Sequence, residues 1–149
     1  MKIYTTHFGE IEINDETVIT FPTGILGFPQ YTKYCLIDVD ANSPLKWLHS
    51  IEEPSLAFVV TDPNVFRPDY SIDAWRKDLV DIKVEKAEDV LVLVIVTVPT
   101  DPQRMTANLK GPLLINTNNN MAKQIIVDNM DYDIKYRLLP DEWMIENVG

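Results

Sequence analysis

The side chains that could do covalent or metal chemistry in this chain are few. There are two histidines, His7 and His49, and one cysteine, Cys35. A zinc site needs a cluster of cysteine, histidine and carboxylate ligands, and neither histidine has such neighbours in sequence. A serine triad would need Ser43, Ser50, Ser55 or Ser71 beside one of these histidines, and none of the four lies in a nucleophile-elbow context. Asp62 and Asp69 bracket Phe66 and Arg67. A carboxylate pair can serve acid–base or metal chemistry, but no histidine or nucleophile stands with this one. Asp62 is expected to accept backbone hydrogen bonds in its own turn, and Arg67 to pair with Asp69 or with a partner's carboxylate. Cys35 sits in the apolar segment Tyr34–Val39 and reads as a small buried hydrophobe. No catalytic residue, metal or cofactor is expected. With 23 acidic residues, carboxylate chemistry on a sugar remains formally open, so a small acidic hydrolase is kept as an alternative to a binding role.

Charge narrows the partners. Lys and Arg number 13 against 23 Asp and Glu in 149 residues, a net charge of -10. Nucleic-acid binding needs a positive footprint, and no basic cluster is present, so direct nucleic-acid contact is not expected; a direct RNA-binding module is the second alternative. The acidic surface suits solubility or a basic partner. A single cysteine allows no intrachain disulfide, compatible with a reducing cytosol. No leader of signal type is evident, and the longest apolar run, Val90–Val98, is too short to cross a bilayer as a helix. A cytoplasmic protein without a membrane partner is expected.

The elements that must position these residues are short strands. Residues 2–5 and 9–13 form a strand pair turning at Gly9, with one wet and one buried face in Glu10-Ile11-Glu12-Ile13. Thr17–Phe21, Tyr34–Val39, Leu45–Ile51 and Leu56–Thr61 are further strands, the last apolar on both faces. Ser71–Trp75 is a candidate strand and Arg76–Ile82 a short helix with Leu79 and Ile82 on one face. Val90–Val98 is the central strand, buried on both faces. Leu113–Ile115 and Ile125–Val127 flank an Asn-rich turn and form a hairpin. Tyr132–Leu139 is a last strand with Ile134, Tyr136 and Leu138 inward. The tail holds Trp143, Met144, Ile145 and Val148, which either pack onto the core or offer an anchor. The sum is an all-β fold, a small antiparallel β-barrel-like single domain spanning 1–149, with one or two short helices.

Three constrained stretches combine apolar or amide groups, and they are the candidate contact surface. The first is the loop of Phe21, Ile25, Leu26 and Phe28, where Gly24 and Gly27 supply backbone freedom. Its apolar residues either plug one end of the barrel or form an exposed lip. The second contains Phe66, Arg67, Asp69 and Tyr70. The third is the hairpin region with Asn108, Lys110, Asn116, Lys123 and Gln124. The structural alternative is that all of them only build the ends of the barrel.

Four ordered motifs resemble the FliW family of flagellar assembly factors across nearly the whole chain. They are Phe21-Pro22-Thr23-Gly24-Ile25-Leu26-Gly27-Phe28; Pro54–Pro63 running on to Phe66-Arg67-Pro68-Asp69-Tyr70; Glu88–Pro99; and Thr106–Asn116 with Lys123-Gln124 beyond. Leu26 stands where many members have proline, and Asn120-Met121-Ala122-Lys123-Gln124 replaces a more basic, glycine-containing pattern. The resemblance implies a non-enzymatic regulator that binds the translational repressor CsrA, relieves its repression of flagellin synthesis, and holds flagellin by its carboxy-terminal region before export.

Overall fold

The computed structural model describes residues 1–39, 41–73 and 76–138. Its main sheet is antiparallel, and it forms because β-branched and aromatic residues alternate between two apolar compartments. The strands β1 (Lys2–Thr5) and β2 (Gly9–Glu12) form a separate hairpin. The order in the main sheet is β10 (Ala122–Gln124), β9 (Leu113–Asn116), β7 (Val90–Thr97), β6 (Ala57–Thr61), β5 (Leu45–Ser50), β4 (Lys33–Asp38) and β3 (Ile19–Thr20). The ends of this order meet. Thr20 and Met121 form a parallel bridge, and the Thr20 N–H donates to the Asn120 carbonyl at 2.9 Å. One bridge thus closes the sheet into a barrel.

The inward residues of alternate strands make the first core: Phe21, Ile25, Tyr34, Leu48, Val60, Leu93, Leu113 and Ile115 are all buried. Burying each such side chain contributes about 1.5–3 kcal/mol. The middle strand β7 explains the layout. Leu91, Leu93 and Ile95 face this barrel interior, while Val92, Val94 and Val96 face a second core outside it. That second core is covered by Tyr70, Leu109, Tyr132 and Leu138, and further along by Leu79 and Ile82. A near-continuous apolar strand is what burial on both faces requires.

One edge of β7 is shared by two strands. Its first half pairs with β9, and its end pairs with β8 (Thr106–Ala107), which in turn pairs with β11 (Tyr136–Arg137). Residues 108–112 lie between β8 and β9. The one α-helix among the described residues, α1 (Arg76–Asp81), packs over the second core.

Several sequence expectations need correction. The second arm of the hairpin is Ala122–Gln124, not Ile125–Val127, because the Asn-rich turn places Ala122 opposite Ile115. Regular pairing from Thr17 is displaced by a 3-10 turn over Asp15–Thr17 capped by Asn14, leaving only Ile19–Thr20 as strand. Ser71–Asp73 is not a strand; Tyr132 holds it in place by side-chain hydrogen bonds instead, and residues 74 and 75 lie outside the described residues. The last strand shrinks to Tyr136–Arg137, and Ile134 is exposed because residues 134 and 135 form a turn. The packing of Trp143, Met144, Ile145 and Val148 falls outside the described residues.

Candidate contact surface

The loop after β3 is built from short-range backbone hydrogen bonds. Gly24 N–H donates to the Phe21 carbonyl at 2.8 Å, and Phe28 N–H to the Ile25 carbonyl at 2.7 Å. Gly24 has φ +71, and a Cβ there would lie 2.6 Å from Pro29 Cα. Only glycine fits such a position. The two readings of this loop are divided between its residues. Phe21 and Ile25 are buried, and Phe21 meets Tyr34 edge-on at 5.5 Å. Phe28 is half-buried against Phe58. Leu26 alone stands out, 76% exposed.

Gln124 ties this loop to the break between β8 and β9. Its Oε1 accepts from the Leu26 N–H at 2.8 Å, and its Nε2 donates to the Gly111 carbonyl at 3.0 Å. Asn108 shapes the break from within, because its Oδ1 accepts from both Lys110 N–H and Gly111 N–H at 3.0 Å. This is an Asx-type turn, the ordinary use of an Asn side chain in a tight loop. A Cβ on Gly111 would come within 2.8 Å of Asn108 Nδ2. Leu26, Gln124 and Ile126 line a groove of about 250 Å³ beside the loop.

Asn116 and Lys123 anchor α1. Asn116 Nδ2 donates to the carbonyls of Ile82 and Lys83 at 3.0 and 3.1 Å, just beyond the end of the helix. Lys123 Nζ donates to Asp78 at 2.6 Å and Asp81 at 2.8 Å. The hydrogen bonds to Asp78 and then Asp81 raise the Lys123 pKa, and the bond from Lys123 lowers that of Asp81.

The third stretch is a clasp. Asp62 accepts from Asn64 N–H at 2.9 Å, as expected for its turn. Arg67 pairs with Asp69 at 3.2 Å, donates to the Asp131 carbonyl at 3.1 Å and lies 4.8 Å over the Tyr132 ring. Tyr70 donates its hydroxyl proton to the Leu109 carbonyl at 2.8 Å. Burial raises the pKa of that hydroxyl, as it raises Tyr34 to about 12. The segment therefore fastens residues 131–136 over the second core.

Of the thirteen residues singled out from sequence, Ile25, Leu26 and Gln124 line one groove, Asn108 shapes the turn at Lys110 and Gly111 that Gln124 reaches, and Phe28 packs on Phe58. Phe21, Ile25, Tyr70 and Asn116 present almost no contact surface in this fold, being between 0% and 5% exposed. Phe66 is half-buried in the second core, and Arg67, Asp69 and Lys123 are engaged within the chain. The sequence reading missed Ile126, 61% exposed on the rim of the groove. The alternation along extended chain that buries Ile125 turns the next side chain, Ile126, outward.

Cys35 lies directly opposite His49 across β4 and β5, both buried. Burial pushes the thiol pKa up, away from the reactive thiolate. Among the described residues no three His, Cys, Asp or Glu side chains come together to hold a metal ion, and no helix is long and apolar enough to cross a membrane.

The closed antiparallel barrel, with an exposed leucine on a locked glycine loop, defines the class: a small antiparallel β-barrel. The family model described as FliW protein matches residues 2–138. A flagellar assembly factor FliW of Alkaliphilus metalliredigens is 43% identical, with 95% of this chain and 88% of that protein covered. One of Caldanaerobacter subterraneus subsp. tengcongensis is 44% identical, with 95% of each covered. A crystal structure of the flagellar assembly factor FliW superposes with a TM-score of 0.88 at 34% identity, covering 95% of this chain and 99% of that one. The chain belongs to the FliW family.

Proposed function

We infer that the chain is a cytoplasmic flagellar assembly factor that works by contact rather than by catalysis. It binds CsrA and antagonises its repression of flagellin mRNA, and it holds the carboxy-terminal region of flagellin as a chaperone-like partner. Family membership over residues 2–138 supports the assembly role, since the relatives carry that name. The two partners are those the motif resemblance implies. The observation that carries the contact reading is Leu26, a leucine held 76% exposed on a loop whose other large apolar side chains, Phe21, Ile25 and Phe28, are buried or half-buried. Leu26 shares its groove with Ile126, itself 61% exposed, and apolar groups gathered in one place suit contact with a partner. The net charge of -10 complements a basic protein such as an RNA-binding regulator and speeds its encounter.

The test is titration of the purified chain against CsrA and flagellin, separately and together, by calorimetry. Saturable binding of each, and release of CsrA repression in a translation assay, is the expected result. Failure to bind either protein would overturn the reading. Turnover of a glycoside by the isolated chain would instead favour the hydrolase alternative.

A further inference from the structure

Among the described residues, one side of β10 carries unpaired backbone. Lys123 pairs with Leu114, and the ladder runs on past the strand: Ile125 N–H donates to the Pro112 carbonyl at 3.0 Å and Val127 N–H to the Lys110 carbonyl at 2.9 Å. Successive residues of an extended chain direct their N–H groups to opposite edges. Gln124 and Ile126 therefore point theirs away from β9, and neither N–H has a partner among the described residues. Among the described residues, barrel closure covers this edge only at Met121.

Exposed edges in natural proteins are guarded by lysine, proline or a bulge. Gln124-Ile125-Ile126-Val127 has no lysine or proline, and the nearby Lys123 is held by Asp78 and Asp81. Both rims of the adjoining groove are apolar, with Leu26 76% and Ile126 61% exposed. Beyond Ile126 a second groove of about 300 Å³ presents Asp73 and Asp128.

We propose that this edge receives an extended segment of another protein, which adds as a strand beside Gln124–Asp128. Its alternate apolar side chains pack on Leu26 and Ile126, and a lysine or arginine meets Asp73 and Asp128. A helix would leave the row of backbone groups unpaired, whereas an added strand satisfies them. A second copy of this chain is disfavoured, because two molecules of charge -10 repel. The inference goes beyond the proposed function, since it gives a mode of contact without depending on which protein supplies the segment.

Amide hydrogen exchange read by NMR tests it on the full chain. The probe is an end-blocked peptide of roughly ten residues alternating valine and lysine, about one strand and its flanks in length. In the free chain Gln124 and Ile126 should exchange fast and Ile125 and Val127 slowly. Peptide should slow the first two by about tenfold or more, as an added strand protects them. The same peptide N-methylated at alternate residues keeps its charge and should have no such effect. Ile126→Pro removes an N–H that bonds nothing and should weaken peptide binding about tenfold, the cost of one lost hydrogen bond at the edge. Unchanged exchange with the first peptide, or equal effects of both peptides, would overturn the proposal. So would protection already present in the free chain, which would mean that the chain covers its own edge, or protection rising with protein concentration, which would mean a second copy. The wild-type exchange pattern decides these outcomes even if Ile126→Pro fails to fold.

Discussion

The Leu26 N–H donates to the side-chain oxygen of Gln124 at 2.8 Å, across 98 residues of sequence. The same carboxamide donates to the Gly111 carbonyl, so one side chain sets the position of the exposed leucine relative to the break between β8 and β9. Gln124→Ala leaves two backbone groups without their partner. The Leu26 bond is exposed and the Gly111 bond part-buried, so the loss should destabilise the chain by about 0.5–1.5 kcal/mol and speed exchange of the Leu26 amide. Urea unfolding with amide exchange measures both. A stable variant with an unchanged Leu26 amide would show that the loop holds itself.

Gly24 and Gly27 separate two costs that positive φ usually mixes. Gly24→Ala meets Pro29 Cα at 2.6 Å as well as φ +71, whereas Gly27→Ala at φ +91 meets open space. The second should cost only the left-handed backbone penalty, about 1–2 kcal/mol. The first should cost clearly more, since the obstructing atoms are backbone. Paired thermal melts of the two variants are the measurement.

Lys123 should give the stability of α1 a pH profile with two edges. The Asp81 pKa is lowered on folding, so its contribution is present above the unfolded value of 3.8 and is lost as pH falls through the folded value. The Lys123 pKa is raised, so its contribution is complete below 10.5 and is lost as pH rises through the folded value. Lys123→Gln should therefore reduce the urea midpoint most between these limits and converge with the wild type beyond them. A constant difference at all pH values would show that the ion triad is not its source.

Asn116 and Leu26 should divide folding from binding. Asn116→Ala leaves the buried Ile82 carbonyl with Asn119 as its remaining side-chain donor and takes the Asn116 donor from the Lys83 carbonyl. It should cost about 0.5–1.5 kcal/mol of stability, with affinity per folded molecule for CsrA and flagellin intact. Leu26→Asp should change stability by no more than about 0.5 kcal/mol, as an exposed substitution does, and should weaken at least one of those partners. Calorimetry on folding-checked variants distinguishes the two. Equal affinity for both partners after Leu26→Asp would remove this loop from the contact surface.

The alternating and continuous apolar patterns were enough to find the antiparallel all-β class, the central strand Val90–Thr97 and the short helix at Arg76. Those features depend on local periodicity and on burial of β-branched residues, which the order of residues records directly. The turn chemistry of Gly24 and Asp62 was equally legible, because each acts on backbone within a few positions; the turn held by Asn108 was read from sequence only as a candidate contact. What tertiary structure alone decided is where side chains go once distant segments meet. Lys123 is spent on Asp78 and Asp81, 45 and 42 residues away, and Gln124 on a loop 98 residues away. No periodicity encodes those pairings, and none shows that the bridge at Thr20 leaves the backbone N–H groups of Gln124 and Ile126 without a partner among the described residues. Local sequence determines which face of a strand is apolar; the closure of the barrel determines which edge of it stays open, because that depends on where the first and last strands arrive.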